Sequence, residues 1–253
     1  MPIILVTNDD GITSQGIRAL VEAVKPYGEV VVVAPDSPQS GQGHAISIHG
    51  PIYVRRSDVF GGIESYECSG TPVDCVKLAK SVILAGRTPD LCVSGINHGT
   101  NHSINILYSG TMSAAMEASL EGIPSIGFSL DTYQSEADFT PSIPYIQKLV
   151  QFALSGGIQV GTLLNVNIPN LPSDQLKGIK ICRQGEGRWV EGYLENKDPR
   201  DRPYYWLTGK FEHENPNPDE DTWAMRNGYI SVVPAHHDLT NYAAIPSLKV
   251  LES

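Results

Sequence analysis

The sequence predicts an α/β protein in which a mostly parallel sheet carries helices on both faces and is followed by a β-rich C-terminal extension. The N-terminal half alternates short β-branched apolar runs with amphipathic stretches, which is the rhythm of parallel strands joined by crossover helices. The second half differs in composition, because residues 183–218 are rich in glycine, proline, charged and aromatic residues. At 253 residues, the chain is near the size at which a single core stops growing.

The first elements are two buried strands joined by a helix. Ile3–Thr7 is a β-branched run typical of a buried parallel strand, and Glu29–Ala34 predicts a second one. Between them, Ser14–Tyr27 carries apolar residues at helical spacing, and Gly28 is placed to cap its C-terminus. The next segment interrupts the alternation of strands and helices. It predicts short antiparallel strands on the edge of the main sheet: Ala45–Ile48, Ile52–Arg55 and Ser65–Cys68.

The middle of the chain returns to alternating helices and strands. Thr71 and Pro72 predict a helix start, since threonine is a good N-cap and proline suits the first helical position; this helix runs toward Ala85. A second helix is predicted over Gly110–Glu121. The remaining predicted strands are Asp90–Val93, Ser125–Ser129, Leu163–Ile168, Ile179–Cys182 and Tyr229–Val233.

The residues after 180 predict an arm rather than more core. Residues 183–218 contain too few apolar residues to form much core, and Tyr204-Tyr205-Trp206 is their most strand-like piece. We expect an extended hairpin that packs elsewhere on the protein or on a second subunit. The chain therefore divides into a core over 1–180, an oligomerisation arm over 181–228, and a C-terminal strand and tail over 229–253 that return to the core.

Composition and charge disfavour several classes of protein. A formal net charge of −10 makes nucleic acid an unfavourable partner. No apolar run approaches the ~20 residues of a transmembrane helix, and the chain enters its first strand without a basic leader. The cysteines lack the spacing of a zinc site or a disulfide framework, which predicts reduced thiols: Cys68, Cys75, Cys92 and Cys182. We expect a cytoplasmic protein without nucleic-acid or membrane partners.

Three predicted strands end in turns that are rich in oxygen-bearing side chains and glycine. These turns are Thr7–Gly11, Pro35–Gly41 and Ser94–Asn101. Because the carboxyl ends of parallel strands meet at one edge of a sheet, and ligands bind there, the three turns should open onto the same site.

The adjacent carboxylates of Asp9 and Asp10 suggest a metal site. Two neighbouring carboxylates repel each other unless a cation lies between them. Carboxylate, hydroxyl and amide oxygens together suit a hard divalent ion such as Mg²⁺, Mn²⁺ or Ca²⁺. Alone, Asp-Asp-Gly is equally well explained as a polar turn with a helix cap, but together the three turns favour the metal.

A fourth motif, Tyr108-Ser109-Gly110-Thr111, stands directly before an alanine-rich helix. Backbone amides at a helix start, two hydroxyls and a glycine form a natural cradle for phosphate. Taken alone, an ordinary serine or threonine N-cap is the stronger interpretation.

Other common catalytic motifs do not occur. The chain has no phosphate-binding P-loop, no Gly-x-Gly-x-x-Gly after the first strand and no Gly-x-Ser-x-Gly elbow. Several histidines could serve as ligands or bases, but a lone histidine is more often packed or solvated, so none is assigned beyond a supporting role: His44, His98, His102, His236 and His237.

Taken in order, these motifs resemble the survival protein SurE family of nucleotidases. The resemblance also includes Leu164-Asn165-Val166-Asn167-Ile168-Pro169 and Gly228-Tyr229-Ile230-Ser231-Val232, so it covers nearly the whole chain. The chain departs from many members at His102-Ser103 and at Glu117-Ala118.

The resemblance implies a 5′-nucleotidase with a three-layer, Rossmann-like core and a C-terminal extension that forms homodimers or tetramers. It places the ligands of one divalent ion, Mg²⁺ or Mn²⁺, with Ca²⁺ as an ion that could occupy the site in a crystal, on Asp9, Asp10, Ser40 and Asn97. It places the phosphate contacts on Ser109, Gly110 and Thr111, and Asn97 is predicted to contact phosphate as well as the ion.

The mechanism that follows uses Asp9 and Asp10 as the catalytic carboxylates. One of them, preferably Asp9, either activates the attacking water or attacks directly, and the sequence leaves both routes open. For the nucleotide base, the stacking candidates are Tyr108, Trp189, Tyr204, Tyr205 and Trp206. For the aromatic residues of the arm, anchoring to a partner subunit is the preferred interpretation.

Three alternatives remain at the level of sequence. The first is a non-catalytic nucleotide-binding protein that uses the same sheet edge. The second is a metal-dependent deacetylase with an Asp-Asp turn, although that chemistry favours zinc and Asn8 stands where a histidine ligand would help. The third is a structural scaffold, which leaves the gathering of polar turns unexplained. The preferred base, activity on 3′-nucleotides or polyphosphate, the physiological metal and the choice between dimer and tetramer stay open.

Overall fold

Strands and helices alternate along the chain, and the computed structural model describes residues 1–134 and 136–252. The strands are β1 (Ile3–Thr7), β2 (Glu29–Pro35), β3 (Val54–Arg56), β4 (Glu64–Cys68), β5 (Leu91–His98), β6 (Ser125–Leu130), β7 (Leu163–Ile168), β8 (Ile179–Ile181), β9 (Arg188–Lys197), β10 (Pro203–Glu212) and β11 (Ile230–Ala235). The helices are α1 (Gln15–Val24), α2 (Pro72–Leu78), α3 (Gly110–Leu120), α4 (Ile143–Leu154), α5 (Asp221–Arg226) and α6 (Ile245–Leu248).

Nine strands form one sheet in the order β3-β4-β2-β1-β5-β6-β7-β11-β8. The six strands from β4 to β7 in this order pair in parallel. Strand β11 is antiparallel to β7 but parallel to β8, and β3 is antiparallel to β4. The predicted α/β fold with a mostly parallel sheet is therefore confirmed.

Helices cover both faces of the sheet because successive residues of a strand point to opposite sides. In β1, Ile4 and Val6 join one core with buried residues of α1 and α4. Leu5 joins a second core on the other face with residues of α2 and α3, such as Cys75 and Ala114. Apolar side chains fill both layers, which explains why β1 and β2 read as continuous apolar runs.

The predicted helix start at Thr71 is confirmed. The Thr71 hydroxyl accepts the main-chain N–H of Asp74 at 3.1 Å, and the Asp74 carboxylate accepts the N–H of Thr71 at 2.9 Å. This reciprocal capping box satisfies two helix donors, with Pro72 in the first helical position. The helix α2 ends at Leu78 and passes into one turn of π-helix over Ala79–Ile83.

Two predictions for the edge of the sheet were wrong. Ala45–Ile48 forms no strand; this stretch instead lies along α2, where the Ala45 carbonyl accepts the Thr71 hydroxyl at 2.8 Å. The predicted strand at Ser65–Cys68 exists as β4, but it is parallel to β2 and antiparallel only to β3. The alternation of side chains along a strand does not reveal which strand it pairs with. The sequence pattern therefore could not predict whether β4 is parallel or antiparallel to its neighbours.

The strand after Asp90 is longer than predicted. The strand β5 continues to His98, so Asn97 lies within the strand and not in a following turn. Its pairing with β6 shifts between Ser94 and Asn97, where Gly95 has φ 125°. A Cβ atom added at Gly95 would lie 2.3 Å from the Phe128 carbonyl oxygen, so only glycine lets the two strands approach here.

The arm contains a two-stranded antiparallel hairpin, β9–β10, that is separate from the main sheet. Ten residue pairs run from Arg188↔Glu212 to Lys197↔Pro203. Within residues 1–134 and 136–252, every helix is too short or too polar to cross a membrane. The division into core, arm and returning strand stays a prediction; β8 ends at Ile181, and α5 lies between the hairpin and β11.

Candidate active site

Asp9 leaves the carboxyl end of β1 and is almost fully buried, with 4% of its surface exposed. The Thr111 hydroxyl at the start of α3 donates a hydrogen bond to its carboxylate. A Cβ atom added at Gly110 would lie 2.7 Å from Asp9 Cβ. The absence of a side chain at Gly110 therefore lets the helix start pack directly on this carboxylate.

Burial, together with the neighbouring charge of Asp10, raises the pKa of Asp9 from 3.8 to about 6. The hydroxyl and main-chain N–H of Thr111 act the opposite way, because hydrogen bonds to a carboxylate favour its charged form. A divalent cation beside the two carboxylates would stabilise their charged forms and thereby lower this raised pKa. The electrostatics of this pair therefore fit a metal site.

Asp10 is partly exposed and faces the end of β5. Its carboxylate accepts the main-chain N–H of His98 at 3.3 Å, and Nδ1 of the same histidine lies 3.5 Å away. His98 packs its ring edge-on against Phe139, with centroids 5.4 Å apart. Of the five histidines named as candidates in the sequence, His98 is the one that contacts Asp10, which is a supporting role.

The loop after β2 brings Ser40 to the same place. The main-chain N–H of Gln39 donates to the Asp9 carbonyl at 2.7 Å, and that of Gly43 to the Tyr108 carbonyl at 3.2 Å. These two bonds hold the loop between the end of β1 and the start of α3. Ser40 itself is exposed and lines the cavity described below.

The side chain of Asn97 is oriented by the main chain of Gly99. Its side-chain Nδ2 donates to the Gly99 carbonyl at 2.7 Å, so the amide oxygen is the atom left as a ligand. Together with the carboxylates of Asp9 and Asp10 and the hydroxyl of Ser40, it provides an all-oxygen donor set. Such a set fits Mg²⁺, Mn²⁺ or Ca²⁺ better than zinc.

Ser109 is the N-cap of α3, and its Oγ accepts the main-chain N–H of Met112 at 3.0 Å. The hydroxyl proton remains available to donate to another group. The first N–H groups of a helix have no acceptor within it, so the N–H of Gly110 is also available. The N-cap interpretation and the phosphate-cradle interpretation are therefore compatible, with the Thr111 hydroxyl already engaged by Asp9.

Some of these groups line one cavity of about 720 Å³, whereas Asp10, Gly110 and Thr111 are not among its lining residues. Its floor includes the predicted residues Asp9, Ser40, Asn97 and Ser109. The cavity is also lined by residues that sequence reasoning did not place at the site: Asn105, Tyr133, Glu191, Leu207 and Thr208. Tyr108 and Trp189, proposed above for base stacking, also line it, whereas Tyr204, Tyr205 and Trp206 do not.

The chain is similar to known proteins over most of its length. The sequence profile of the family described as Survival protein SurE matches residues 4–191. The chain belongs to the SurE family.

Relatives of this SurE chain match over nearly its whole length. A protein of Cytophaga hutchinsonii named 5′-nucleotidase SurE is 56% identical over 98% of this chain and 95% of its own. A protein of Christiangramia forsetii with the same name is 53% identical over the same shares. The crystal structure of a SurE protein from Aquifex aeolicus superimposes with a TM-score of 0.86, at 44% identity and full coverage of both chains.

Asn8, which a zinc deacetylase would replace by histidine, has a structural role in this SurE chain. It is fully buried, and its Nδ2 donates to the Gly11 carbonyl and to Ser14 Oγ, both at 2.9 Å. Asn8 therefore shapes the turn that presents the two aspartates. In the part of the chain that the structure describes, no cluster of three or more His, Cys, Asp or Glu side chains could hold a metal. The predicted SurE metal site does not need one, since two of its four ligands are a serine and an asparagine.

The hairpin was the unexpected contributor to the SurE cavity. Its position over the active site depends on contacts between residues about 80 positions apart, such as Trp189 with Asn105. In the sequence, the aromatic side chains within 183–218 were the available signal that this segment could contact the substrate. They could not indicate which of them face the cavity.

Proposed function

We propose that this chain is a divalent-metal-dependent phosphatase that hydrolyses nucleoside 5′-monophosphates to nucleoside and phosphate. The observation that carries the proposal is the convergence of Asp9, Ser40, Asn97 and Ser109 on one cavity at the carboxyl edge of the sheet. Family membership makes the chain a phosphoric monoester hydrolase, and relatives named 5′-nucleotidase support the choice of substrate.

The proposed metal ligands are the four oxygen donors Asp9, Asp10, Ser40 and Asn97. A bound Mg²⁺ or Mn²⁺ would polarise the phosphoryl oxygens and lower the pKa of a bound water. Phosphate monoester hydrolysis can require an acceleration of ~10²¹, or roughly 28 kcal/mol of barrier reduction. One preorganised donor contributes about 3 to 4 kcal/mol, so the helix cradle alone cannot provide the effect.

The chain's own groups would grip the phosphate on the side of α3. The Ser109 hydroxyl and the Gly110 N–H are available donors, and the positive end of the helix dipole favours an anion there. Thr111 acts through Asp9, because its hydroxyl fixes one oxygen of that carboxylate. Asn97 lines the same cavity, and we propose that it contacts the phosphate as well.

Asp9 is the group placed to assist the attack. Two routes are compatible with its position: proton abstraction from a water, or direct attack of the carboxylate on phosphorus. The configuration at phosphorus distinguishes them, because a single displacement by water inverts it, whereas two successive displacements at phosphorus through an aspartyl phosphate retain it. If water instead attacks the carboxyl carbon of an aspartyl phosphate, a single turnover in ¹⁸O-labelled water puts the label into Asp9 and a protein oxygen into phosphate.

We further propose that the protein assembles as a homodimer or tetramer through its arm. The outward residues of the hairpin support this, since Tyr193, Tyr205 and Trp206 are between 58% and 67% exposed. Large exposed aromatic side chains are typical of contact surfaces. Sizing chromatography of the full chain and of a chain lacking residues 188–212 tests the assembly.

The function is tested by phosphate release from nucleoside monophosphates with several divalent ions, using the wild-type chain and Asp10→Asn. We expect activity only with a divalent ion, and lower metal affinity and activity in the variant. Asp58→Asn is the matched control, because it removes one carboxylate from an exposed loop outside the cavity. Full activity and unchanged metal affinity in Asp10→Asn would end the proposal, and tight nucleotide binding without phosphate release would favour the non-catalytic alternative.

A further inference from the structure

The hairpin β9–β10 contributes part of the lining of the cavity that holds the proposed metal and phosphate sites. Trp189 and Glu191 of β9 and Leu207, Thr208 and Gly209 of β10 line the same cavity as Asp9 and Ser109. Glu191 pairs directly with Gly209, so no cross-strand side chain fills the space beside it. A volume of about 720 Å³ is in the range of sites for whole small molecules, which is more than a phosphate needs.

The indole of Trp189 is held in a fixed orientation. Its Nε1 donates a 2.7 Å hydrogen bond to the side-chain oxygen of Asn105. Phe211 packs against the ring at 73° with centroids 6.1 Å apart, and Phe211 in turn contacts His102. Even so, 41% of Trp189 remains exposed. A flat aromatic surface that is already ordered and still open loses little conformational entropy when a ligand stacks on it.

The base of the hairpin is fixed to the segment that leads into the phosphate cradle. The fully buried carboxylate of Asp221 accepts the main-chain N–H of Ser103 at 2.8 Å and that of Gly185 at 2.9 Å. The Ser103 hydroxyl donates to the carbonyls of Gly185 and Gly187. The chain between Ser103 and Ser109 therefore sets the separation between Trp189 and the proposed phosphate site.

From this geometry we infer that Trp189 is the platform on which the base of the substrate stacks, and that it makes the enzyme select nucleotides over other phosphate esters. This inference rests on the proposed function and adds a specificity-determining residue to it. Every nucleobase has a π-face, so stacking on Trp189 accepts different bases, with the larger purine rings gaining more. Asn105 is a positioning residue, because it acts only through the indole N–H.

The test compares kcat/KM for nucleoside monophosphates with kcat/KM for ribose 5-phosphate, which has the same ester and no base. In Trp189→Ala we expect a loss of roughly 10- to 100-fold for the nucleotides, larger for purines than for pyrimidines. The value for ribose 5-phosphate should stay unchanged. Trp189→Phe keeps a ring and should lose less, and Asn105→Ala should fall between the two.

The matched control is Tyr53→Ala. Tyr53 is an exposed aromatic residue outside both the hairpin and the cavity lining. It should change neither value. An equal loss for nucleotides and ribose 5-phosphate in Trp189→Ala would show a general structural effect and overturn the inference, as would no loss for either.

A binding measurement keeps the inference testable if Trp189→Ala folds poorly. The chain has three tryptophans, and Trp206→Phe with Trp223→Phe leaves Trp189 as the single indole. Nucleoside monophosphates should then quench its fluorescence, whereas ribose 5-phosphate should not. Absence of quenching at nucleotide concentrations that saturate hydrolysis would contradict stacking. Failure of the proposed function has a different signature: the wild-type chain would release phosphate from neither nucleotides nor ribose 5-phosphate with any divalent ion.

Discussion

The main-chain N–H of Asn101 donates a 2.7 Å hydrogen bond to the side-chain oxygen of Asn167. Asn167 also donates to Asn165 at 2.9 Å, and Asn165 donates back to the Asn101 carbonyl at 2.8 Å. The Asn101 side chain completes the network on Ser129 at 2.8 Å. Both main-chain groups of Asn101 are thus fixed by β7, and this residue lines the cavity four positions after Asn97.

Asn167→Ala should weaken both the fold and the metal site. The substitution leaves the buried N–H of Asn101 and the Asn165 oxygen without partners, at a cost of about 1–3 kcal/mol for each group. Since the loop from Asn97 to Asn101 then loses its anchor, we also expect lower metal affinity. Urea unfolding and metal titration measure the two effects. Asn170→Ala, three residues further and exposed, is the control; unchanged metal affinity in Asn167→Ala would show that β7 does not position this loop.

Gly110→Ala should abolish activity while the protein remains folded. The added methyl group would lie 2.7 Å from Asp9 Cβ and 3.0 Å from its Oδ2, so the carboxylate must move. At the first turn of α3, alanine is otherwise a better helix former than glycine, by up to about 1 kcal/mol. We expect an activity loss of roughly 100-fold or more, since a displacement of about 1 Å has such effects. Phosphate release and circular dichroism measure the outcome.

Gly50→Ala is the matched control, because no atom lies within 4 Å of an added Cβ there. Its activity should equal that of the wild-type chain. Normal activity in Gly110→Ala would mean that the contact between the helix start and Asp9 is not needed for catalysis.

The sequence predicted the floor of the site because local motifs place it. Asp9, Ser40 and Asn97 follow or end three parallel strands, and the fold rule that strand ends share one edge brings them together. Thr71 was predictable for the same reason, since an N-cap and its Pro72 are neighbours in sequence. The residues of α4 carry a helical pattern as well, with Ile146, Leu149, Val150 and Ala153 buried, but no prediction was made for them.

The rest of the site depends on contacts that no local pattern encodes. The docking of Trp189 on Asn105 and the hold of Asp221 on Ser103 join residues more than 80 positions apart. The wrong prediction of a strand over Ala45–Ile48 has a related cause. Its alternating apolar residues fit a strand, but Ile46 and Ile48 are 50% and 71% exposed because no neighbouring strand pairs with this segment.

Asp9→Asn should stabilise the metal-free protein at neutral pH. The folded-state pKa of Asp9 is raised from 3.8 to about 6 by burial and by Asp10, so between these values the folded state binds more protons than the unfolded state. Stability from this group therefore falls as pH rises through that window. Asparagine avoids the loss, and its side-chain oxygen can still accept the Thr111 hydroxyl. We expect the free energy of unfolding of Asp9→Asn to exceed that of the wild type by about 1–3 kcal/mol near pH 7.5 and to differ little from it near pH 4.

Urea unfolding of metal-free Asp9→Asn and wild type at the two pH values checks this expectation. Added Mg²⁺ or Mn²⁺ should stabilise the wild type but not the variant, because binding to the folded state alone adds stability. A variant less stable than wild type at neutral pH without metal would contradict the proposed strain between the two carboxylates.

Glu117→Gln should loosen the loop that carries Ser40. Glu117 is buried in α3, and its two oxygens bind His44 Nε2 at 2.9 Å and Lys77 Nζ at 2.5 Å. The hydrogen bond from His44, followed by that from Lys77, holds the pKa of Glu117 below its usual value. This stability contribution is therefore present above the unfolded-state pKa and is lost as pH falls through the lower folded-state value.

The glutamine variant should lose about 1–2 kcal/mol at neutral pH, at the low end for charged hydrogen bonds because His44 and Lys77 are partly exposed. Its stability should also fall less steeply in acid than that of the wild type. Glu121→Gln, which breaks a more exposed pair with Lys80, should cost less. If Glu117 positions the loop through His44, the metal concentration needed for half-maximal activity should rise in Glu117→Gln but not in Glu121→Gln. If this concentration is the same in both variants, Glu117 contributes to stability alone, because the proposed ligand Ser40 has not moved.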